Sequence, residues 1–366
     1  MSTSVMVSLL FLCSLASAWT GKVDEIYDVE QQNANFEGII WFDDNLYGGT
    51  TRAQNIFRID PDDLSKSKAA KVDGTSESAT GLGSQIMLAL CYSDDKDAIY
   101  GCFSSLSATE DGGIIMWDKD DLTFKKAYPY PGITFGNDCI VSDEQKQVYF
   151  TSSVDGRVIA CDLDLDSCTS YVNGGDLTPT QTPILTGFPI GANGIEYFDD
   201  SDNPFLIVGN YDDGKLVKVN VSKTSADRTM TRVTVTDPSN LMSGVSNLML
   251  GADGLARVDD DVLIVVTTPR VILLESNDNF ATAEIKKVVD TLYIEPDGSA
   301  TAALKYGDRA SKGDIQIYVS FPSFTSLFAG ADQTTFKMAL LRFSDEDVDD
   351  LDWAGVLVAS LLVWFF

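Results

Sequence analysis

The sequence predicts an all-β chain folded as a six-bladed β-propeller, and three observations carry that expectation. Short strand-like runs are punctuated by Gly, Asp and Asn, with few stretches of helical period. One such run recurs: a β-rich segment closes on a polar residue at 56–60, 114–118, 158–162, 216–220 and 271–275, with a looser copy from Met338 to Phe343. The copies lie mostly about 45–60 residues apart, a length that suits a four-stranded blade. A β-sandwich would account for the strands but not for the period. The third observation is another repeat, this one of oxygen-bearing side chains.

Glu37-Gly38, Asn137-Asp138, Asn193-Gly194 and Asp253-Gly254 each open a strand-like run, and an aspartate closes it six residues after the first member: Asp43, Asp143, Asp199 and Asp259. A second strand follows each acidic turn. The offset-matched residue before Asp94 is apolar Leu88, and the one before Asp297 is Thr291. The first strand of a propeller blade is innermost and lines the central channel, so equivalent positions on different blades converge on the axis. Glu37, Asn137, Asn193 and Asp253 are therefore expected to meet.

Two carboxylates and two amides aimed at one point are hard to explain as packing. Buried like charges repel and shift their pKa values unless something neutralises them. A divalent hard cation does so. Calcium accepts about 6–8 oxygen ligands in irregular geometry, while magnesium, the alternative along with other divalent cations, holds its waters in a stricter octahedron. Asn-Gly and Asp-Gly are also common turn dipeptides, which explains single members of the set but neither Glu37 nor the shared offset. Asp162-Leu163-Asp164-Leu165-Asp166 has the opening spacing of an EF-hand loop. Ser167 stands where that loop needs Gly, and Asn173 where it needs a bidentate Glu, so the run reads as a solvated blade edge.

Composition narrows the chemistry. Across 366 residues, 55 Asp and Glu face 26 Lys and Arg, a formal charge of −29, which repels phosphate backbones and excludes nucleic acid as a partner. Histidine is absent, which removes Ser-His-Asp and Cys-His nucleophile systems and His-ligated metal sites. An oxygen-only inventory favours calcium or magnesium. The expected partner is a small-molecule substrate, taken by a monomer. Trp41, Trp117 and Tyr149 sit in strand runs and read as blade-packing aromatics.

The ends of the chain suggest export. Residues 1–18 read as a signal peptide, an apolar stretch from Val5 to Leu15 followed by Ala16-Ser17-Ala18. The propeller is assigned to 19–345, and 346–366 to an acidic spacer and an apolar tail. That tail resembles a GPI-attachment signal with Ser344 as the attachment site; a membrane-associated tail or a final packed segment are the alternatives. The chain is expected to be secreted, either free or held at the cell surface. Asn220-Val221-Ser222 matches a glycosylation sequon. In an oxidising compartment Cys91 and Cys102, flanking one turn, are expected to pair, as are Cys161 and Cys168, leaving Cys139 as a buried thiol.

With these motifs in hand, the chain resembles the SMP-30/gluconolactonase/lactonase-like propellers, relatives of squid-type diisopropylfluorophosphatase and the paraoxonases. The resemblance covers most of 37–345 and rests on Glu37-Gly38-x-x-Trp41, Asn137-Asp138, Asn193-Gly194 and Asp253-Gly254. It implies a six-bladed fold, calcium bound by Glu37, Asn137, Asn193 and Asp253, and Asp253 as general base or nucleophile on lactones, esters or phosphotriesters. Two positions depart from the pattern: Ile39 replaces a proline, and Phe135 replaces the arginine that sugar lactonases place two residues before the central Asn. An apolar residue there points to a less polar substrate. The paraoxonase histidine dyad cannot exist here. The rival expectation is a non-enzymatic extracellular propeller with a structural calcium, since one fold hosts many functions. A strictosidine-synthase-like enzyme shares the fold but normally lacks the calcium quartet.

Overall fold

Six sheets surround a central channel as the blades of a β-propeller, antiparallel except for one parallel outer strand each in the fifth and sixth, the latter Ala69–Ala70. The computed structural model describes residues 22–30, 36–50, 55–59, 69–70, 72–75, 86–104, 111–133, 135–180, 189–200, 203–221, 224, 228–291, 294, 300–305, 314–322 and 335–344. The signal peptide assigned to 1–18 and the tail at 346–366 lie outside them, and Ser344 ends the last strand.

Blade 1 runs outward from the axis as Phe36–Phe42, Asn45–Thr50, Ile56–Ile59 and Val72–Thr75. Blade 2 is Ile86–Ser93, Ala98–Ser104, Gly113–Asp118 and Phe124–Pro129. Blade 3 is Gly136–Ser142, Gln147–Ser152, Arg157–Asp162 and Cys168–Asn173. Blade 4 is Ala192–Phe198, Phe205–Asn210, Lys215–Asn220 and Met230–Arg232. Blade 5 is Ala252–Asp259, Val262–Thr267, Arg270–Glu275 and Thr282–Asp290, with Thr234–Thr236 added in parallel outside.

Blade 6 closes the ring. Ala303–Lys305, Asp314–Phe321 and Thr335–Ser344 come from the C-terminal part of the chain, and the fourth strand is Lys22–Glu30 from the N-terminal part. These two remote segments pair antiparallel from Lys22↔Arg342 to Glu30↔Thr335, so backbone hydrogen bonds within blade 6 join the N-terminal and C-terminal parts of the described chain. The six recurring runs of the sequence are the third strands of the six blades.

The second strands have a blade on both sides, so both of their faces are buried. This is why the second strands read as continuous apolar runs rather than alternating ones. In Phe205-Leu206-Ile207-Val208, Phe205 and Ile207 pack towards blade 5, while Leu206 and Val208 pack towards blade 3. Leu263 and Val265 likewise face blade 4, and Val262, Ile264 and Val266 face blade 6. The described core accordingly forms six apolar layers, one in each seam. Trp117 and Tyr149 are fully buried packing residues, as expected, and Trp41 packs with Tyr318 against the layer between blades 1 and 6 while also lining the channel cavity.

The cysteines correct one expectation. Cys91 pairs with Cys139, their Cα atoms 5.8 Å apart, and Cys102 is the buried thiol. The hairpin register opposes Cys91 to Tyr100 and Cys102 to Ala89, so the two cysteines are not partners across the turn. Cys91 instead meets Cys139 on the inner strand of the next blade, and the bridge ties blades 2 and 3 beside the channel. The Cys161–Cys168 bridge forms as expected, joining the third and fourth strands of blade 3. Peptide mapping without reduction is expected to recover both bridges, and Cys102 should resist alkylation until the chain is unfolded. A Cys91–Cys102 peptide would contradict this pairing.

The EF-hand-like run is a turn at the blade edge whose Asp164 and Asp166 are exposed, as read from its sequence, while Leu163 and Leu165 are buried in the layer between blades 2 and 3. The Asp162 carboxylate is taken up by the backbone N–H groups of Asp164, Asp166 and Ser167 at 2.7–3.0 Å, which holds it below the usual carboxylate range.

Candidate metal centre in the channel

The inner strand of each of the first five blades breaks register at one equivalent place. The irregularities fall between Phe36 and Ile39, Met87 and Ala89, Gly136 and Cys139, Ala192 and Ile195, and Ala252 and Leu255. Glu37, Leu88, Asn137, Asn193 and Asp253 are the residues caught in them. A bulge of this kind re-aims a side chain, and here it does so at the same level of five blades. All five residues are buried, the four polar ones between 3% and 7% exposed.

The sixth position differs from the sequence expectation. Thr291 is not on the inner strand: its N–H and hydroxyl both bond the Pro269 carbonyl, beyond the outer strand of blade 5. Asp297 lies outside the described residues. The equivalent of Glu37 is Thr301, two residues before Ala303, which faces Val319 as Ile39 faces Gly48. The offset failed here because the inner strand of blade 6 begins later in the chain.

Glycines after the ring residues let the inner strands approach. A Cβ at Gly194 would run into the Asp253 carbonyl oxygen, and one at Gly254 into that of Thr301. The Gly254 N–H donates to the Thr301 carbonyl at 2.6 Å. Hydroxyls stitch two further joints, between blades 3 and 4 and between blades 6 and 1. Ser153 accepts from the Asn137 amide at 3.1 Å and donates to the Ala192 carbonyl at 2.7 Å. Thr151 donates to the Asn193 carbonyl at 2.7 Å, and Ser320 to the Glu37 carbonyl at 3.1 Å.

The electrostatics show that the two acids share one neighbourhood. Burial, then the charge of Asp253, then that of Asp138, push the Glu37 carboxyl well above its ordinary value. Burial and the charge of Asp138 do the same to Asp253, opposed by a hydrogen bond from the Asn193 side chain. Asp138 itself is pushed up to about 7 by burial, although it accepts N–H bonds from Cys139 at 2.8 Å and Ile195 at 3.0 Å. The Tyr211 phenol, also buried, feels Asp253 and Glu37 and keeps its proton to high pH. Neither Tyr211 nor Thr301 repeats a sequence motif, and no signal in the sequence marked them.

Two buried oxygens in the ring have no hydrogen-bond donor: Glu37 Oε2 and Asn193 Oδ1. Unsatisfied buried acceptors of this kind are costly and call for a missing partner. The donor set of carboxylate and amide oxygens suits a hard divalent cation. Among the described residues no three Asp, Glu, Cys or His side chains gather as a metal site. The ring contains only two acids, so a cation here would take amide oxygens as well.

On the hairpin side of the ring the channel opens into a cavity of about 660 Å³. Gly38, Asp138 and Gly254 line its inner end, Trp41 its wall, and Asp94 and Asp143 its mouth. The opposite side is formed by the segments that lead into the inner strands. Half-buried Phe135 lies there, its carbonyl accepting the Ser153 N–H at 3.0 Å. Val154 and Leu250, the large apolar residues most exposed in the described chain, lie at this end too.

No protein-family model and no curated protein matches the sequence. Solved structures do match the fold. The major allergen Mala s 1 of Malassezia sympodialis aligns with a TM-score of 0.67 and 15% identity, covering 90% of this chain and 100% of that one. A luciferin-regenerating enzyme aligns at 0.54 and 11% identity, covering 88% and 96%. The PQQ-bound aldose sugar dehydrogenase of Streptomyces coelicolor aligns at 0.52 and 13% identity, covering 88% and 97%. At these identities the likeness is one of fold.

Proposed function

We propose that the chain is a secreted, calcium-dependent hydrolase of the SMP-30/gluconolactonase kind, acting on a lactone, ester or phosphotriester. The observation that carries this reading is the ring itself: two buried carboxylates and two amides at equivalent bulges, with Glu37 Oε2 and Asn193 Oδ1 left without donors. Glu37, Asn137, Asn193 and Asp253 are the residues to hold the cation. When bound, calcium supplies charge compensation for the two carboxylates and polarises a substrate carbonyl or phosphoryl oxygen.

The chain's own groups do the rest. The Asp253 carboxylate, held by the Asn193 side chain, is the base or nucleophile. Ser153 fixes the Asn137 amide, and Tyr211 offers a protonated hydroxyl within electrostatic reach of both acids. Phe135, Val154 and Leu250 put apolar side chains at the end of the channel opposite the hairpin cavity, and the charge of −29 disfavours anionic substrates. An uncharged, weakly polar ester or lactone fits both facts. The two disulfides support export to an oxidising compartment.

The test is a panel of lactones, esters and phosphotriesters assayed with and without EDTA. Turnover that EDTA abolishes and calcium restores is expected. Chelator-insensitive turnover contradicts the scheme, and a tightly held cation with no turnover on any member points to a binding protein instead.

A further inference from the structure

We infer that Glu196 is a positioning residue for this ring, holding Asp253 against Asn193 by stapling the inner strands of blades 4 and 5. The inference rests on the cation reading above and adds a residue to it. Glu196 follows Asn193 by three positions, and its carboxylate lines the hairpin-side cavity. One oxygen accepts the N–H of Tyr197 on its own strand at 3.0 Å; the other accepts the N–H of Arg257 on the neighbouring strand at 2.9 Å. Arg257 follows Asp253 by four positions. The carboxylate thus bridges the two strands that carry Asn193 and Asp253, just below both.

The seam it closes is a tight one: a Cβ at Gly194 would run into the Asp253 carbonyl oxygen. The Arg257 guanidinium adds bonds to the Tyr197 carbonyl at 3.3 Å and an ion pair with Asp199, both on blade 4 or its hairpin. Asp138 repeats the device one blade earlier, bridging Cys139 and Ile195. Blades 3, 4 and 5, which carry Asn137, Asn193 and Asp253, are therefore linked in series by two carboxylates, of which Asp138 belongs to the repeated opening and Glu196 does not. Of the two, Glu196 isolates positioning from charge. Asp138 acts electrostatically on both Glu37 and Asp253, whereas Glu196 acts directly on neither and reaches them only through its effect on Asp138.

Glu196→Gln keeps the size of the side chain but turns one acceptor into a donor, which then faces an N–H. Calcium affinity, measured by isothermal titration, is expected to fall about 10-fold, the lower end of the cost of losing a partner bonded to the ligand itself, since Glu196 acts through the backbone. Glu196→Asp, which keeps the charge but not the reach, is expected to lose as much and serves if the amide variant does not fold. Val219→Ala, a buried position on the third strand of blade 4, should lower the thermal midpoint and leave the affinity unchanged. A folded Glu196→Gln protein with wild-type affinity overturns the inference, and so does an equal loss in Val219→Ala. A wild-type chain that takes up no divalent cation overturns the metal reading and this inference with it.

Discussion

Calcium added to the metal-free chain at pH 8 is expected to raise its thermal midpoint by roughly 5–10 °C, and by much less at pH 5. The size follows from about 4 kcal/mol of stabilisation at a thousandfold excess of ligand over Kd, spread over the large unfolding entropy of a long chain. The pH dependence follows from the carboxylates. In the unfolded chain Asp253 and Glu37 titrate near 3.8 and 4.5, and in the folded, metal-free chain both lie well above those values. Above the unfolded values the native state therefore binds more protons than the unfolded state, and stability falls as pH rises. Asp138 adds a loss across the window from 3.8 to about 7. A cation compensates the buried charge and removes most of that loss, so its effect is largest where the acids must ionise. Scanning fluorimetry with and without calcium at the two pH values checks this. A shift of equal size at both pH values contradicts it.

Asp253→Asn is expected to cut turnover at least about 100-fold, the lower bound for removing a general base, and to make the metal-free chain more stable at pH 8. The two effects have opposite signs because they concern different states. In the loaded enzyme the variant removes a reacting group and a ligand charge; in the metal-free chain it removes one of two buried acids that repel each other. Glu37→Gln shares the second effect. Asp253→Asn that leaves the metal-free midpoint unchanged would mean that the two acids do not share a site.

The fold was legible because the propeller repeats. Third strands such as Val158–Asp162 close on polar residues at the blade edge, and the runs between them are apolar on both faces because a blade lies on each side. The ring was legible for the same reason: one bulge, set at a constant distance from an acidic hairpin turn, leaves a constant offset in the chain. Where the repeat breaks, the reading broke. Blade 6 has a late and short inner strand, so the offset chose Thr291 in place of Thr301. Sequence proximity pairs Cys91 within its hairpin, but the partner that reaches it, Cys139, comes from the neighbouring blade. Glu196 and Tyr211 act across seams, and contacts between blades leave no periodic trace.

The most direct measurement of the shared site is the calcium content of the purified chain after equilibrium dialysis, alongside the Glu37→Gln/Asp253→Asn double variant. One bound ion per wild-type chain and none in the folded double variant is the expected result. A wild-type chain without bound ion, or a double variant that keeps its full complement, would show that these four side chains do not hold a cation between them.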